Sequence, residues 1–234
     1  MRNFFKLSCL LLLIISQGAN AAPKRVELVY QATRNGQPFA TVTESYRQDK
    51  GRYHIESVTN GIGIYALFGK RRLISEGEIT ADGLKPSHFE LHQGSDSNKS
   101  LFADFNWAAN TLTLKNKAET NIVPLQKGTQ DLSSFAYQFM FAAPTGESLD
   151  LPVTTGKKLN LYRYLLTDKN EVLDLASTGK FKTVHLIKAK ESESSKDEKE
   201  FWLSTDNHHL PVRILMIDDK GIKIEQSLTH LHVE

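Results

Sequence analysis

His88, Glu90 and His92 carry metal-ligating side chains at every second position. That spacing on a strand points all three to one face, where two imidazoles can converge on one ion. The intervening Phe89 and Leu91 are the core-seeking set, so the triplet falls on a wet face and reads as solvated rather than as a metal site. His230 and His232 repeat the pattern beside Leu231 and Val233, and His208-His209 lies in a turn with its rings pointing apart. Ser133 and Ser134 stand where a helix begins, without the Gly-x-Ser-x-Gly turn that exposes a nucleophile, and serve more simply as caps. Asp218-Asp219 before Gly221 is turn chemistry. No phosphate-cradling glycine loop is present, and the sequon Asn98-Lys99-Ser100 matters only in a eukaryotic secretory pathway. These residue types therefore assign no catalytic residue, no metal site and no cofactor.

The first residues read as an export leader. Arg2 and Lys6 precede the apolar run Leu7 to Ser16, and Ala19-Asn20-Ala21 supplies the small residues of a cleavage site. The run is shorter than the roughly 20 residues that span a bilayer. Cys9, the only cysteine, lies inside this run rather than at its end, which argues against a lipid anchor. Cleavage near Ala21 leaves one domain, residues 22–234, without disulfide, thiol nucleophile or cysteine metal site. The 234-residue chain has a formal charge of +2; loss of Arg2 and Lys6 leaves 27 basic and 27 acidic residues. A neutral chain of interspersed signs lacks the basic field that nucleic acid requires and is poorly suited to electrostatic attachment to anionic lipid.

Alternation of apolar and polar residues predicts strands along most of the chain. Val26–Thr33, Phe39–Arg47 and Tyr53–Thr59 form a meander joined by Asn35-Gly36 and Asp49-Lys50-Gly51, the first a strong hairpin signal because both residues accept positive φ. Further strands are expected at 71–80, 84–93, 101–107, 111–115, 122–125, 158–166, 172–177, 181–189, 201–204 and 211–217, with a last one from Ile222. Gly77 marks a bend, and the parity change between Leu228 and Leu231 requires a bulge near Thr229. The charge run 191–200 reads as a solvated hairpin loop. Asn60 to Gly69 predicts a short helix or turn at about 61–68 that closes one end of the sheet, or serves as an apolar lid. Leu132, Phe135, Ala136, Phe139, Met140 and Ala143 follow a helical period, with Asp131 as cap and Pro144 as terminator, so a core helix is expected at about 131–143. Tyr137 and Phe141 give that helix a second apolar face. The fold class is mainly β: a strongly curved antiparallel sheet, open and barrel-like, holding one helix in its concavity.

The ordered signatures Glu76-Gly77, Asp82-Gly83-Leu84-Lys85-Pro86, Asp104-Phe105-Asn106-Trp107, Gln130-Asp131-Leu132-Ser133, Trp202-Leu203 and Leu210-Pro211-Val212-Arg213-Ile214 resemble the exported proteobacterial proteins of domain of unknown function 3108. The match spans nearly the whole mature chain. Asn106 departs from it, since the resemblance puts an Asp beside the Trp. It implies a Gram-negative periplasm and carries no catalytic residue with it.

The expected function is a periplasmic, non-enzymatic binding or carrier domain for an apolar or amphiphilic, lipid-like molecule, with Phe68, Trp107, Tyr137 and Phe141 as candidate ligand contacts. The alternative is a structural or scaffold protein of the cell envelope that meets an envelope protein; a histidine hydrolase is a third reading. No nucleic-acid partner and no transmembrane segment in the mature chain are expected.

Overall fold

The computed structural model describes residues 22–94, 96–190, 192 and 197–234. Residues 1–21, where the leader is expected, and residues 191 and 193–196 of the charged run lie outside the described residues, while 198–200, expected in the loop, open a strand instead. Fifteen strands form one sheet among these residues. They are β1 (Arg25–Arg34), β2 (Gln37–Asp49), β3 (Arg52–Gly61), β4 (Arg71–Thr80), β5 (Gly83–Gln93), β6 (Leu101–Asn106), β7 (Thr111–Lys115), β8 (Thr120–Pro124), β9 (Gln130–Asp131), β10 (Ser148–Thr154), β11 (Leu159–Leu175), β12 (Gly179–Lys188), β13 (Glu198–Ser204), β14 (Leu210–Ile217) and β15 (Lys223–Val233). Two antiparallel meanders, β1–β8 and β10–β15, join where β1 pairs with β15. β9 adds to β10 in parallel. The sheet curls strongly without closing, leaving β8 and β9 as its edges.

Turn chemistry and bulges fall where the residues dictate. Asn35 and Gly36 have φ of 49° and 81°, as a tight primed turn requires. The register of β1 on β15 slips between Val29 and Tyr30, skipping Thr229, whose hydroxyl bonds Val29 O at 3.0 Å. A second slip falls between Glu76 and Gly77, where the backbone of Lys85 and Pro86 approaches so closely that a Cβ would collide. The sequence segments 158–166 and 172–177 are one strand, β11, whose register shifts between Leu166 and Glu171 replace the expected gap. β10 was not expected. Its Pro152 lies on the side that β9 leaves unpaired, since β9 reaches only Val153 and Thr154.

The helix is much shorter than its period implies. Gln130 and Asp131 are strand residues, Ser134–Tyr137 form a single α turn (α1), and Gln138–Met140 a 3₁₀ turn. Asp131 still caps: its Oδ1 accepts from Ser133 N at 2.8 Å and Ser134 N at 2.9 Å. Backbone pairing to β10 holds Asp131 extended, so the helix cannot start there. The whole segment 130–141 acts as a strap across the concave face. Its backbone belongs to the β10 side. Its side chains bond the opposite side of the curl, through Gln130 Nε2 to Leu84 O (2.9 Å), Ser75 Oγ to Asp131 Oδ2 (2.6 Å) and Gln138 to both Leu84 N (2.7 Å) and Asp82 O (2.8 Å).

The strap also explains its apolar residues on every side. Three core clusters line the curl, and it touches each. Leu132 packs into the cluster of Phe89 and Leu112, Phe135 and Phe139 into that of Leu186 and Phe201, and Tyr137, Met140 and Phe141 into that of Tyr30 and Tyr46.

Candidate functional site: a cavity under the strap

Alternation and register stack the inward side chains of β2, β3 and β4 in rows. Val42, Thr59 and Arg71 form one row, Glu44, Ser57 and Leu73 the next, and Tyr46, Ile55 and Ser75 the third. Above the first two rows lies a cavity of about 170 Å³ that opens to solvent. The strap roofs it with Leu132, Ser133, Phe135 and Ala136, and the far wall comes from β10, β11, β13 and β14, including Val153, Tyr164, Phe201 and Ile214. Phe135 and Tyr164 both meet the Phe201 ring edge-on, at 5.1 and 5.6 Å. Most of the wall is apolar. An enclosed, wholly apolar cavity of ~150 Å³ holds a benzene-sized group; this one opens to solvent, so a longer molecule can extend out of it. A larger, open groove of about 470 Å³ lies at the seam between β7–β8 and β10–β11, with two lysines and exposed Ile122 on its rim.

Glu44 is the acid of the cavity. Ser57 Oγ donates to its Oε1 at 3.0 Å and Tyr137 OH to its Oε2 at 3.2 Å. Burial pushes its carboxyl above the ordinary range, while these hydroxyls and the Arg71 charge pull the other way. Arg71 faces the same space and makes no hydrogen bond or ion pair with any described residue, though it feels the Glu44 charge. Ser133 Oγ, in the roof, is buried without a partner. Lys199 reaches the rim, 4.5 Å above the Tyr162 ring and 3.3 Å from its hydroxyl.

The four sequence candidates are not brought together, and none lines the cavity. Tyr137 comes nearest, reaching it through Glu44 and stacking on Tyr46 at 5.6 Å. Trp107 stacks on Phe105 and donates to Pro86 O at 2.6 Å. Phe141 is half-buried in a separate groove beside His208 and His209. Phe68 is 75% exposed on the 3₁₀ turn Gly63–Phe68, none of whose residues is buried. That turn sits where the sequence placed it, directly before Arg71, with Ile64 and Leu67 also exposed.

Sequence reasoning missed Glu44 and Arg71, yet both carried a signal. Glu44 shares its parity with Val42 and Tyr46, the inward set of β2, and Arg71 shares that of Leu73 in β4. A charge on the apolar parity of a strand marks either an error or a site.

His88, Glu90 and His92 do share a face, as a hydrogen-bonded ladder. His88 bonds Asp104 (2.7 Å) and Glu90 (3.0 Å), and His92 bonds Glu90 (2.7 Å) and Ser100 (3.0 Å), while Lys115 bonds Asp104 (2.6 Å). Burial opposes charging His88, but its two carboxylate partners outweigh it and raise its pKa. Among the described residues no group of three is arranged to hold a metal ion, and no helix is long and apolar enough to cross a membrane.

The comparisons follow the scaffold. The family model for proteins of unknown function DUF3108 matches residues 29–227. A beta-barrel-like protein of domain of unknown function DUF1849 from Brucella abortus is similar in structure, with a TM-score of 0.59 at 11% identity, covering 91% of this chain and 98% of its own. A candidate lipoprotein from Parabacteroides distasonis aligns with a TM-score of 0.38 at 13% identity, over 90% of this chain and 96% of its own. A candidate exported protein with a YmcC-like fold from Bacteroides fragilis aligns at 0.37 and 10%, over the same shares. Comparison with curated proteins gives no match. The signature residues mostly hold the fold: Trp107 bonds Pro86, Trp202 lies under Arg213 (4.7 Å) and bonds Glu171 (2.9 Å), and Pro211 O accepts from Tyr30. Leu132, Ser133 and Ile214 among them also line the cavity. Asn106, the departure from the pattern, caps its turn by accepting from Ala109 N at 3.0 Å.

Proposed function

We propose that this chain, which belongs to the DUF3108 family, is a non-enzymatic binding or carrier domain of the periplasm for an apolar or amphiphilic molecule. The single observation that supports this most is the cavity between sheet and strap: apolar walls with a few polar groups gathered in adjacent rows, the usual build of a small-molecule site. Tyr137 contributes through Glu44. The periplasmic location rests on the leader. The exposed turn at Ile64, Leu67 and Phe68 favours a second reading, contact with an envelope protein. The turn is separated from Arg71 by two residues in sequence, so it also serves the carrier reading, as a lid.

Native mass spectrometry of protein purified from its own periplasm tests the reading. A small molecule is expected to travel with the folded chain and to be released on unfolding. Val42→Phe, which fills the cavity from β2, is expected to reduce occupancy at least fivefold. Empty wild-type protein, or occupancy that ignores Val42→Phe, contradicts it.

A further inference from the structure

We infer that the molecule held in the cavity is an anionic amphiphile, its carboxylate or phosphate head seated on Arg71 and its tail against Leu73, Phe135 and Ile214. The inference rests on the carrier reading and narrows it.

A guanidinium is always charged, and taking it out of water without a partner costs free energy that a protein normally recovers by pairing it. Arg71 stands on the inward parity of β4, faces a mainly apolar cavity and has no ion pair or hydrogen bond among the described residues. The one acid in the cavity, Glu44, already accepts from Ser57 and Tyr137. Burial opposes its charge, while the Ser57 and Tyr137 hydroxyls and the Arg71 charge favour it. An oxyanion entering with an apolar tail completes the site, because the guanidinium fork matches two oxygens. Lys199 at the rim adds a second positive charge, so both cations lining the cavity favour an anion.

The test displaces a neutral apolar fluorophore, N-phenyl-1-naphthylamine, with dodecanoate, dodecyl phosphate or dodecanol. In the wild type, one or both anions are expected to compete at least tenfold more tightly than dodecanol, and the stronger of the two identifies the head group. Arg71→Gln is expected to remove that advantage while leaving dodecanol within twofold, and Arg71→Lys, which keeps the charge but not the fork, to retain part of it. Circular dichroism establishes that each variant is folded; if Arg71→Gln does not fold, the comparison of anion with alcohol in the wild type and Arg71→Lys decides. Equal competition by anions and alcohol in the wild type overturns the anionic assignment and leaves the carrier reading standing. Failure of the fluorophore and all three competitors to bind overturns both.

Discussion

Phe139→Ala is expected to destabilise the protein by about 3–5 kcal/mol, the range for deleting a buried aromatic side chain and leaving a cavity. Phe139 is 3% exposed and packs with Tyr164, Leu186 and Phe201. It sits on the strap, whose neighbours are committed elsewhere: Tyr137 to Tyr46 and Glu44, and Gln138 to Leu84 and Asp82. The strap therefore cannot sink into the space that the ring vacates, and relaxation recovers little. Phe141→Ala, at a half-buried position two residues on, is expected to cost distinctly less. Urea unfolding of both variants checks this. Equal losses would show that Phe141 is packed as tightly as Phe139 and would contradict the unequal roles assigned to them.

Asp131→Asn is expected to flatten the dependence of stability on pH. The Asp131 carboxyl is fully buried, and burial raises its pKa from 3.8 to about 6 against the pull of Ser75, Ser134 and Ser133. The folded state thus binds this proton more tightly than the unfolded chain. The contribution of Asp131 is greatest below about pH 4 and is lost as pH rises through about 6. At about 1.36 kcal/mol per pH unit the loss is about 3 kcal/mol. Asparagine keeps the shape and can still accept from Ser133 N and Ser134 N, but has no proton to release. Urea midpoints at pH 4.5 and 7.5 should differ by a smaller amount in the variant. The raised carboxyl of Glu44 acts with the same sign and is present in both proteins, so it cancels in the comparison. An unchanged pH profile would place the titration elsewhere.

Most of the sheet was legible because each strand of a one-sided sheet must alternate. The Thr229 bulge was legible because one extra residue inverts parity. The parts that were not legible have physical causes. Leu149, Leu151 and Val153 alternate in β10, but Pro152 disguises a strand whose partner on that side is only two residues long. The strap shows a helical period although it forms little helix, because its apolar residues serve three clusters rather than one stripe. Large aromatics suggested the ligand contacts, yet Trp107 and Tyr137 are spent on the scaffold. The cavity is marked instead by what does not belong on an inward face, Glu44 and Arg71. Which strands face each other across the curl is set by the strap, and local pattern holds no information about that.

The most direct test of a binding cavity under the strap is methyl NMR of the protein titrated with N-phenyl-1-naphthylamine. Val42, Leu73, Val153 and Ile214 line the cavity, whereas Ile122, Leu161 and Val172 are exposed on the sheet. The account predicts saturable shifts in the first set, with the second set unmoved and Val42→Phe abolishing the response. Shifts confined to the exposed set, or to Ile64 and Leu67 on the turn, with the cavity methyls silent, would contradict it.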